Sequence, residues 1–506
     1  MYGEILKMPE HQISIKEAEN NLLACAAFLA ENIKSSDGHS EAVKEIVPLY
    51  LEKGEVDLAA QLADAVDDPF VRDRLLTLTA EKCAAIDDVE YAFQLVESIE
   101  DYGSQGAARA RIALQKSAKN EFEKALKIAE TLDHADDAFA DIAVHQAANG
   151  DEANALKTIE KINFANAKVN ALQNIALHNL QKGETAKAVE HLNKAFAAAG
   201  EIEFAEEKIR AFTDIGNLFI ETDSRDRAIE TFDQAKTFAE KLDNVHRDFL
   251  LANAALGFLR AGSVELADRT LDLVADKTQI ASCLNGFSQV FWQNGERDEA
   301  LETLEEAYAI LKSQRDGETR DSRVRFKNFG AIAIQFARFE KAERAIEIAQ
   351  ENIDETERTT ALNIIAQVCT LQGKDEIARQ SINAIHDDSQ RMFALIGMSD
   401  AKDKLNEREK AVEVLNEAAA LAETVPQLAS RSSAYNELAA RFQKYGENKR
   451  SRDLFLENLK LISQIRDESS RAVAVAQLAN IYDEAEFTLN DAEKSILRTM
   501  IQKAGM

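Results

Sequence analysis

The chain contains few residues that break helices. Its 506 residues include only 4 prolines and 19 glycines, whereas a fold of many short strands needs a turn about every 8–12 residues. Alanine, leucine, glutamate and lysine are abundant instead, and all four are good helix formers. Hydrophobic residues make up 45% of the chain, which is enough for a continuous core and excludes global disorder. We therefore predict an all-α fold.

The chain also lacks positive charge. Its 89 acidic and 60 basic residues give a net charge of −29, and no run rich in lysine or arginine offsets this field locally. Such a field repels a phosphate backbone, so nucleic acid is not expected as a partner. The same charge keeps an alanine-rich surface soluble.

Long apolar runs and closely spaced cysteine pairs are missing too. No stretch approaches the ~18 apolar residues of a membrane span, so we expect no membrane contact. The four cysteines, Cys25, Cys83, Cys283 and Cys369, form no CxxC pair, and each lies in an apolar helical stretch. Buried, reduced thiols are typical of a cytoplasmic protein, and the cytoplasm is the compartment that we expect.

No catalytic motif is present in the sequence. It contains no phosphate-binding loop, HExxH, GxSxG or dinucleotide fingerprint, and its eight histidines show no metal-ligand spacing. We therefore predict that the protein is not an enzyme and that it has no catalytic residue, metal or cofactor.

The chain does contain an internal repeat, marked by a turn residue every 30–42 positions. Eleven of the twelve turn positions hold Gly, Asn or Asp, which tolerate the left-handed backbone of a tight turn between two helices. The twelve predicted turns are Gly54, Asp87, Asn120, Gly150, Gly183, Asp223, Gly262, Gly295, Ala337, Gly373, Asn406 and Gly446.

Residues at fixed offsets from these turns support the repeat. Seven positions before the turn the residue is small in every unit except the first, which has Val47. Five positions after the turn the residue is alanine in every unit except the last, which has Ser451. Small residues at both positions let the two helices of a hairpin approach closely.

A large residue also recurs eleven positions before the turn, for example Leu76, Phe139 and Leu172. This pattern of a large residue, a small residue, a turn and an alanine resembles the tetratricopeptide repeat. The resemblance covers roughly residues 41–485 and implies an α-solenoid, a right-handed superhelix of about 12–13 stacked helix-turn-helix repeats. We expect residues 1–40 to form an N-terminal cap, with one amphipathic helix over 13–34, and residues 486–506 to form a C-terminal capping helix. The chain departs from the family because the large position never holds tryptophan and no proline ends a second helix.

The residue twelve positions after the turn predicts the length of the second helix. Units that are followed by a long spacing have alanine there, and we expect alanine to let the helix continue by one or two turns. These residues are Ala195, Ala235, Ala307, Ala349 and Ala418 in long units, Val66, Ile99, Leu132, Ile162, Val274 and Ile385 in short ones, and Asn458 in the last unit.

Five aspartates between the units are each followed four positions later by an arginine. An N-cap and a salt bridge within one helical turn would explain this spacing. A phosphate or carboxylate site built from stacked arginines is the alternative, although the aspartates would neutralise it. The pairs are Asp68/Arg72, Asp243/Arg247, Asp354/Arg358, Asp387/Arg391 and Asp467/Arg471.

The resemblance also implies that residues ten, six and three positions before each turn face the inner groove. In the later units these residues are largely amides, which can hydrogen-bond an extended peptide, with the only tryptophan as an apolar anchor. Their alternative role is that of solvated polar residues on the inner wall. The candidate binding residues are Asn285, Gln289, Trp292, Lys327, Asn363, Gln367 and Asn436.

In the earlier units the same positions are apolar. Packing between neighbouring first helices explains them, and a site for an amphipathic helix is the alternative. The lysine/asparagine clamp of chaperone-binding family members is not reproduced, because Lys44 is followed four positions later by Pro48 and Lys327 by Ala331. The apolar residues are Leu114, Val144, Leu177, Leu180, Ile220, Leu256 and Leu259.

Together these features predict a non-catalytic scaffold or adaptor that binds a peptide or amphipathic helix of a partner protein in its groove. Two alternatives remain open, namely an RNA-binding helical-repeat protein and the sensor or regulatory arm of an enzyme system. Self-association into a homo-oligomer is compatible with the first hypothesis.

Overall fold

A computed structural model describes residues 13–314 and 322–504, and every regular element in these two ranges is an α-helix. The helices are α1 Ile15–Ala18, α2 Leu22–Glu31, α3 Ser36–Glu52, α4 Val56–Asp64, α5 Pro69–Ala85, α6 Val89–Ser98, α7 Tyr102–Ala118, α8 Phe122–Ala129, α9 Asp136–Ala148, α10 Glu152–Glu160, α11 Ala165–Gln181, α12 Thr185–Ala199, α13 Ala205–Glu221, α14 Arg225–Ala239, α15 Arg247–Arg260, α16 Val264–Leu271, α17 Lys277–Asn294, α18 Arg297–Ser313, α19 Ser322–Arg338, α20 Ala342–Glu351, α21 Glu355–Leu371, α22 Asp375–Asn383, α23 Asp388–Lys404, α24 Arg408–Ala422, α25 Leu428–Lys444, α26 Asn448–Ile462, α27 Glu468–Glu484 and α28 Asp491–Ala504.

Consecutive helices pack as antiparallel hairpins, and the chain forms two compact units. Of the described residues, unit 1 comprises 13–116 and 386–504, and unit 2 comprises 117–314 and 322–385. In unit 2 the hairpins run from α9–α10 to α21–α22, and the first helices α9, α11, α13, α15, α17, α19 and α21 pack side by side. The predicted all-α solenoid of tetratricopeptide-like hairpins is confirmed. The handedness of the superhelix and the boundaries of the two caps stay predictions.

Eleven of the twelve predicted turns have a left-handed backbone, with φ between 56° and 88°. The prediction at Ala337 is wrong, because the turn lies three residues later at Glu340, with φ 63°. Measured from Glu340, Ala333 and Ala345 occupy the two small positions, and both are fully buried. A further left-handed residue, Glu486, ends α27. Both turns were missed because a glutamate rarely adopts this conformation.

Where the residue twelve positions after the turn is alanine or a bulky apolar residue, it distinguishes long from short second helices, as predicted. The last unit, with Asn458, has a second helix of 15 residues. With alanine there, α12, α14 and α24 have 15 residues and α18 has 17. With a bulky residue there, the second helices have 8–10 residues. The assignment of Ala349 is wrong, because the position counted from Glu340 holds Asn352 and α20 has 10 residues. The amide of Asn352 donates to the Phe326 carbonyl over 2.9 Å.

The five aspartate–arginine pairs have a structural role. Of the two predicted contacts, only the N-cap is confirmed, at four of the five aspartates. The predicted salt bridges are wrong, because the arginines have other partners. Arg72, Arg247 and Arg391 pair with Asp73, Asp248 and Asp388, whereas Arg358 and Arg471 bind the linker that precedes their own helix. Arg358 donates to the Asn352 carbonyl over 3.2 Å, and Arg471 donates to the Ile465 carbonyl over 3.1 Å. Asp243 does not cap α15, whose N-cap is His246. The aspartates that cap helices as predicted are Asp68, Asp354, Asp387 and Asp467.

A second aspartate, which the sequence analysis missed, fixes the linker after three short units. It lies fourteen positions before the turn, and its carboxylate accepts backbone N–H groups of the next linker. Asp248 accepts from Ala275 and Asp276 over 2.9 and 2.7 Å. Asp136 and Asp73 make the equivalent bonds to the two linkers that follow their own hairpins.

Replacing Asp73 tests this linker contact. Its side chain is only 2% exposed, so alanine would leave the N–H groups of Glu100 and Asp101 without their charged acceptor. We expect Asp73→Ala to destabilise the fold by about 1–3 kcal/mol, measured by urea unfolding with circular dichroism. Asp64→Ala, at an exposed position on α4, is the control and should stay within about 0.5 kcal/mol of the wild type.

The N-terminal segment differs from the single amphipathic helix predicted over 13–34. It forms two helices, and α2 is buried at every position from Leu22 to Ala30. The helix has no solvent face because α27, α3 and α28 all pack against it. A helix that is apolar on all sides is typical of such a central position.

Within unit 1, α2 occupies the place of a second helix in the last repeat. It packs along α27 as α26 packs along α25, and α3 packs beside α27 as the next first helix. The first helices α25, α27, α3 and α5 thereby form one continuous row. Lys53 pairs with Asp483, and Arg498 pairs with Glu19 over 3.2 Å. The N-terminal helix therefore completes the C-terminal repeat.

All four cysteines are buried, as predicted. Burial raises the pKa of the Cys25 and Cys283 thiols to about 12 and that of Cys83 and Cys369 to about 11. Since the thiolate is the reactive form, about one thiol in 1,000 or fewer is ionised at pH 8. We expect no reaction with Ellman's reagent in the native protein and four reactive thiols in guanidinium. Rapid native labelling at pH 8 would contradict the burial of these helices.

Candidate functional site

Four of the predicted binding residues lie on first helices of unit 2. Asn285 and Gln289 are one turn apart on α17, and Asn363 and Gln367 hold the same two positions on α21. All four side chains are half-buried. The helix between them, α19, packs against both α17 and α21. The structure therefore places these amides on a row of three adjacent first helices.

An additional amide, Gln335 on α19, belongs to this row. Its side chain is only 3% exposed, and its Oε1 accepts a hydrogen bond of 2.9 Å from Nε2 of Gln289. Arg338 also donates to this oxygen, over 3.4 Å. Gln335 lies five positions before Glu340, outside the three registers used for the other candidates, so the repeat pattern gave no signal for it. We call five residues the amide set: Asn285, Gln289, Gln335, Asn363 and Gln367.

Two further contacts orient the amide set. Nε2 of Gln367 donates to Oδ1 of Asn363 over 3.0 Å, which leaves the Asn363 Nδ2 group and the Gln367 Oε1 atom for other partners. Oδ1 of Asn285 is buried without a hydrogen-bond partner among the described residues. Side-chain amides both donate and accept, so such a set matches the alternating N–H and C=O groups of an extended peptide.

Trp292 lies at the end of α17 between two other side chains. One face of its indole stacks on Phe339, with ring centroids 4.2 Å apart and planes inclined by 13°. The guanidinium of Arg297 covers the indole at 3.6 Å from its centroid, a favourable cation–π geometry. Trp292 therefore packs against side chains of two hairpins. Its role as an apolar anchor for a ligand stays a prediction, which concerns the part of the ring that is still exposed.

The structure changes the position of Lys327. It lies thirteen residues before the true turn at Glu340, so the register assigned to it from Ala337 is wrong. The positions ten and six before Glu340 hold Gly330 and Ile334 instead. Lys327 is exposed on α19, outside the register of the amide set.

Asn436 lies apart from these residues, on α25 in unit 1. It is only 5% exposed, and its Oδ1 accepts a hydrogen bond of 2.7 Å from Nδ2 of Asn458. Its own Nδ2 has no partner among the described residues. The side chain lines a pocket of about 330 Å³, and the other lining residues are Glu45, Leu49, Ser433, Glu437, Ala476, Gln477, Asn480 and Ile481.

Gln173 is a binding candidate that the same register would have found. It lies ten residues before Gly183 on α11, and its Nε2 is buried without a partner in the part of the chain that the structure describes. Of the seven apolar residues at these positions, five are half-buried and Leu259 is buried. Leu177 has 38% of its surface exposed.

The described residues contain neither a group of His, Cys, Asp and Glu that would hold a metal ion nor a helix that meets the length and hydropathy of a membrane span.

Comparisons of sequence give no match, either to models of protein families or to curated proteins. Solved structures of helical-repeat proteins do match. Ton1535 from Thermococcus onnurineus NA1 is 18% identical, with 70% of this chain and 98% of that chain covered and a TM-score of 0.25. The apo form of RapI is 13% identical, with 73% and 98% covered and a TM-score of 0.30.

A Rap protein complexed with competence and sporulation factor is 12% identical, with 63% of this chain and 98% of that chain covered and a TM-score of 0.27.

Proposed function

We propose that the protein is a non-catalytic scaffold that binds an extended segment of a partner protein along its first helices. The observation that carries this proposal is the amide set of unit 2. Its five side chains lie on three adjacent first helices, and the bond between Gln289 and Gln335 fixes the spacing of α17 and α19. The proposed partner is a protein, bound without a cofactor.

The chemistry of the amide set favours main-chain recognition. An extended peptide presents N–H and C=O groups in alternation, and each side-chain amide offers both a donor and an acceptor. A half-buried amide contacts few water molecules. A peptide that displaces this water therefore loses little hydration free energy. Specificity would come from side chains of the partner that pack beside the amides.

Affinity capture from a native extract tests the proposal, with bound proteins identified by mass spectrometry. The test variant is Asn363→Ala with Gln367→Ala, which removes two amides that bond only to each other. The control is Gln380→Ala with Asn383→Ala, because both residues are exposed on α22, the second helix of the same hairpin. Circular dichroism and thermal unfolding must show that both variants are folded.

We expect a set of proteins that the wild type and the control retain and the test variant loses. Each removed hydrogen bond contributes about 0.5–1.5 kcal/mol, so the double variant should weaken binding by roughly 5- to 150-fold. Equal capture by all three baits would show that the amide set is not the binding site. Capture of the bait's own chain would indicate self-association instead.

A further inference from the structure

We propose that the pocket beside Asn436 binds a lysine or arginine side chain of an extended segment of a partner protein, while Asn436 donates a hydrogen bond to a main-chain carbonyl of that segment. This inference rests on the proposed function, since it specifies the chemistry of the partner. The pocket lies on the row of first helices α25, α27 and α3 in unit 1.

The pocket is built from both ends of the chain. Two lining residues come from α3, three from α25 and four from α27. They are Glu45 and Leu49; Ser433, Asn436 and Glu437; and Ala476, Gln477, Asn480 and Ile481. It exists because α2 completes the last repeat and brings α3 beside α27. A ligand in this pocket therefore touches three successive first helices, as a segment that follows the row would do.

Asn436 supplies an unused donor. Its side chain is 5% exposed, and Oδ1 is already engaged by Asn458, so rotation of the amide would break an existing bond. Nδ2 is left without a partner among the described residues. A buried N–H group without a partner costs free energy, which a ligand carbonyl would recover.

The charge of the pocket selects a cation. Glu45 is exposed, and no ion pair to it occurs in the part of the chain that the structure describes. Glu437 pairs with Arg441 over 2.5 Å, but that arginine also binds Asp400 over 2.9 Å, so its charge is shared. No basic side chain lines the pocket. An anionic ligand would be repelled, whereas an ammonium or guanidinium group can donate a charge-assisted hydrogen bond to the Glu45 carboxylate.

Apolar side chains line the pocket together with the polar groups. They are Leu49, Ala476 and Ile481. Lysine and arginine bury an aliphatic stem along apolar surface and keep the charged group near polar partners. The pocket volume of about 330 Å³ is at the lower end for ligand sites, which suits one side chain rather than a whole cofactor.

Small probes test the pocket without knowledge of the partner. We would titrate the full chain with N-acetyl-lysine methylamide, N-acetyl-norleucine methylamide and n-pentylammonium, and measure affinity by saturation-transfer NMR. Norleucine lacks the charge, and pentylammonium lacks the carbonyl that Asn436 would bind. We expect lysine amide to bind at least about tenfold more tightly than either of the other two probes.

The protein variants give the matched comparison. Glu45→Gln removes the charge and should bring the lysine and norleucine probes to within about threefold of each other. Glu41→Gln, on the same helix, is the control, because Glu41 pairs with Lys44 and does not line the pocket. Equal affinity of the three probes for the wild type, or a lysine preference that survives Glu45→Gln, would overturn the proposal.

The same experiments separate this inference from the proposed function. If the lysine probe binds as expected but affinity capture retains no protein that depends on the amide set, the pocket stands and the scaffold proposal falls. If capture depends on the amide set while the three probes bind equally, the scaffold proposal stands and the pocket proposal is wrong.

Discussion

A variant that begins at Ser35, and so lacks α1 and α2, is expected to lose the local stability of the last repeat. α2 buries Leu22, Leu23, Phe28 and Leu29 against its neighbours, and burial of each such side chain stabilises by about 1.5–3 kcal/mol. Removal of the helix leaves the apolar faces of α27 and α3 in water. The resulting loss of stability is much larger than the loss caused by removing any single surface contact.

Hydrogen exchange measures the effect helix by helix. We expect amides of α27 to exchange at least about 100-fold faster in the shortened chain, which corresponds to ~2.8 kcal/mol. Amides of α13 and α14 in unit 2 should be unaffected, because repeats interact with their neighbours only. A synthetic peptide of residues 13–34, added in excess, should restore the protection of α27.

Two results would contradict this expectation. Unchanged exchange in α27 would show that α2 does not pack there, and uniform acceleration throughout unit 2 would show that the effect is not local. A peptide of the same composition in scrambled order is the control for the rescue. It should restore nothing, because the contact requires the arrangement of side chains on α2.

Gly216→Ala is expected to destabilise the protein, although alanine normally stabilises a helix by about 1 kcal/mol relative to glycine. A Cβ at this position would lie 2.6 Å from the ring of Phe232, and a Cβ at Gly257 would lie 2.4 Å from the same ring. Phe232 is completely buried between the two glycines. Overpacking of this kind costs about 1–3 kcal/mol, so the sign of the usual effect is reversed.

A double-mutant cycle identifies the cause. Phe232→Leu shortens the ring that obstructs the new methyl group, so Gly216→Ala should cost at least about 1 kcal/mol less in that background. Gly106→Ala on α7 is the control, because a Cβ there would meet nothing within 4 Å among the described residues. Urea unfolding gives the free energies. Stabilisation by Gly216→Ala in the wild-type background would contradict the packing described for Phe232.

Local features of the fold follow from the sequence because they depend on nearby residues. The turns with Gly, Asn or Asp could be placed, since these residues tolerate a left-handed backbone. The turn at Glu340 could not, because glutamate gives no such signal, and the error placed Lys327 in the wrong register. The longer second helices could also be predicted, from the alanine twelve positions after the turn, as α12 and α14 show.

Contacts between distant segments could not be predicted. α2 has the composition of a core helix, but nothing in its sequence identifies α27 as its partner. The pocket beside Asn436 has the same origin, since Glu45 and Asn480 are brought together only by that contact. The amides were predicted from their register, whereas the hydrogen bond between Gln289 and Gln335 required the structure.

An engineered disulfide between Gly38 and Ser469 tests the central claim that the N-terminal helices complete the last repeat. An ideal Cβ on Gly38 would lie 3.6 Å from Cβ of Ser469, within the ~3.5–4.5 Å range of Cβ separations in disulfides. The same Cβ would lie 2.6 Å from Oγ of Ser35, so Ser35→Gly is included, at a cost of a few tenths of a kcal/mol.

The measurement is cross-linking of Gly38→Cys/Ser469→Cys under mild oxidation, read by intact mass, peptide mapping and a non-reducing gel. The control is Gly38→Cys/Glu468→Cys, in which the second thiol points about 100° away around α27. The account predicts a disulfide within one chain, formed far faster in the test pair than in the control. Failure of the test pair to cross-link, or equal cross-linking in both pairs, would contradict it.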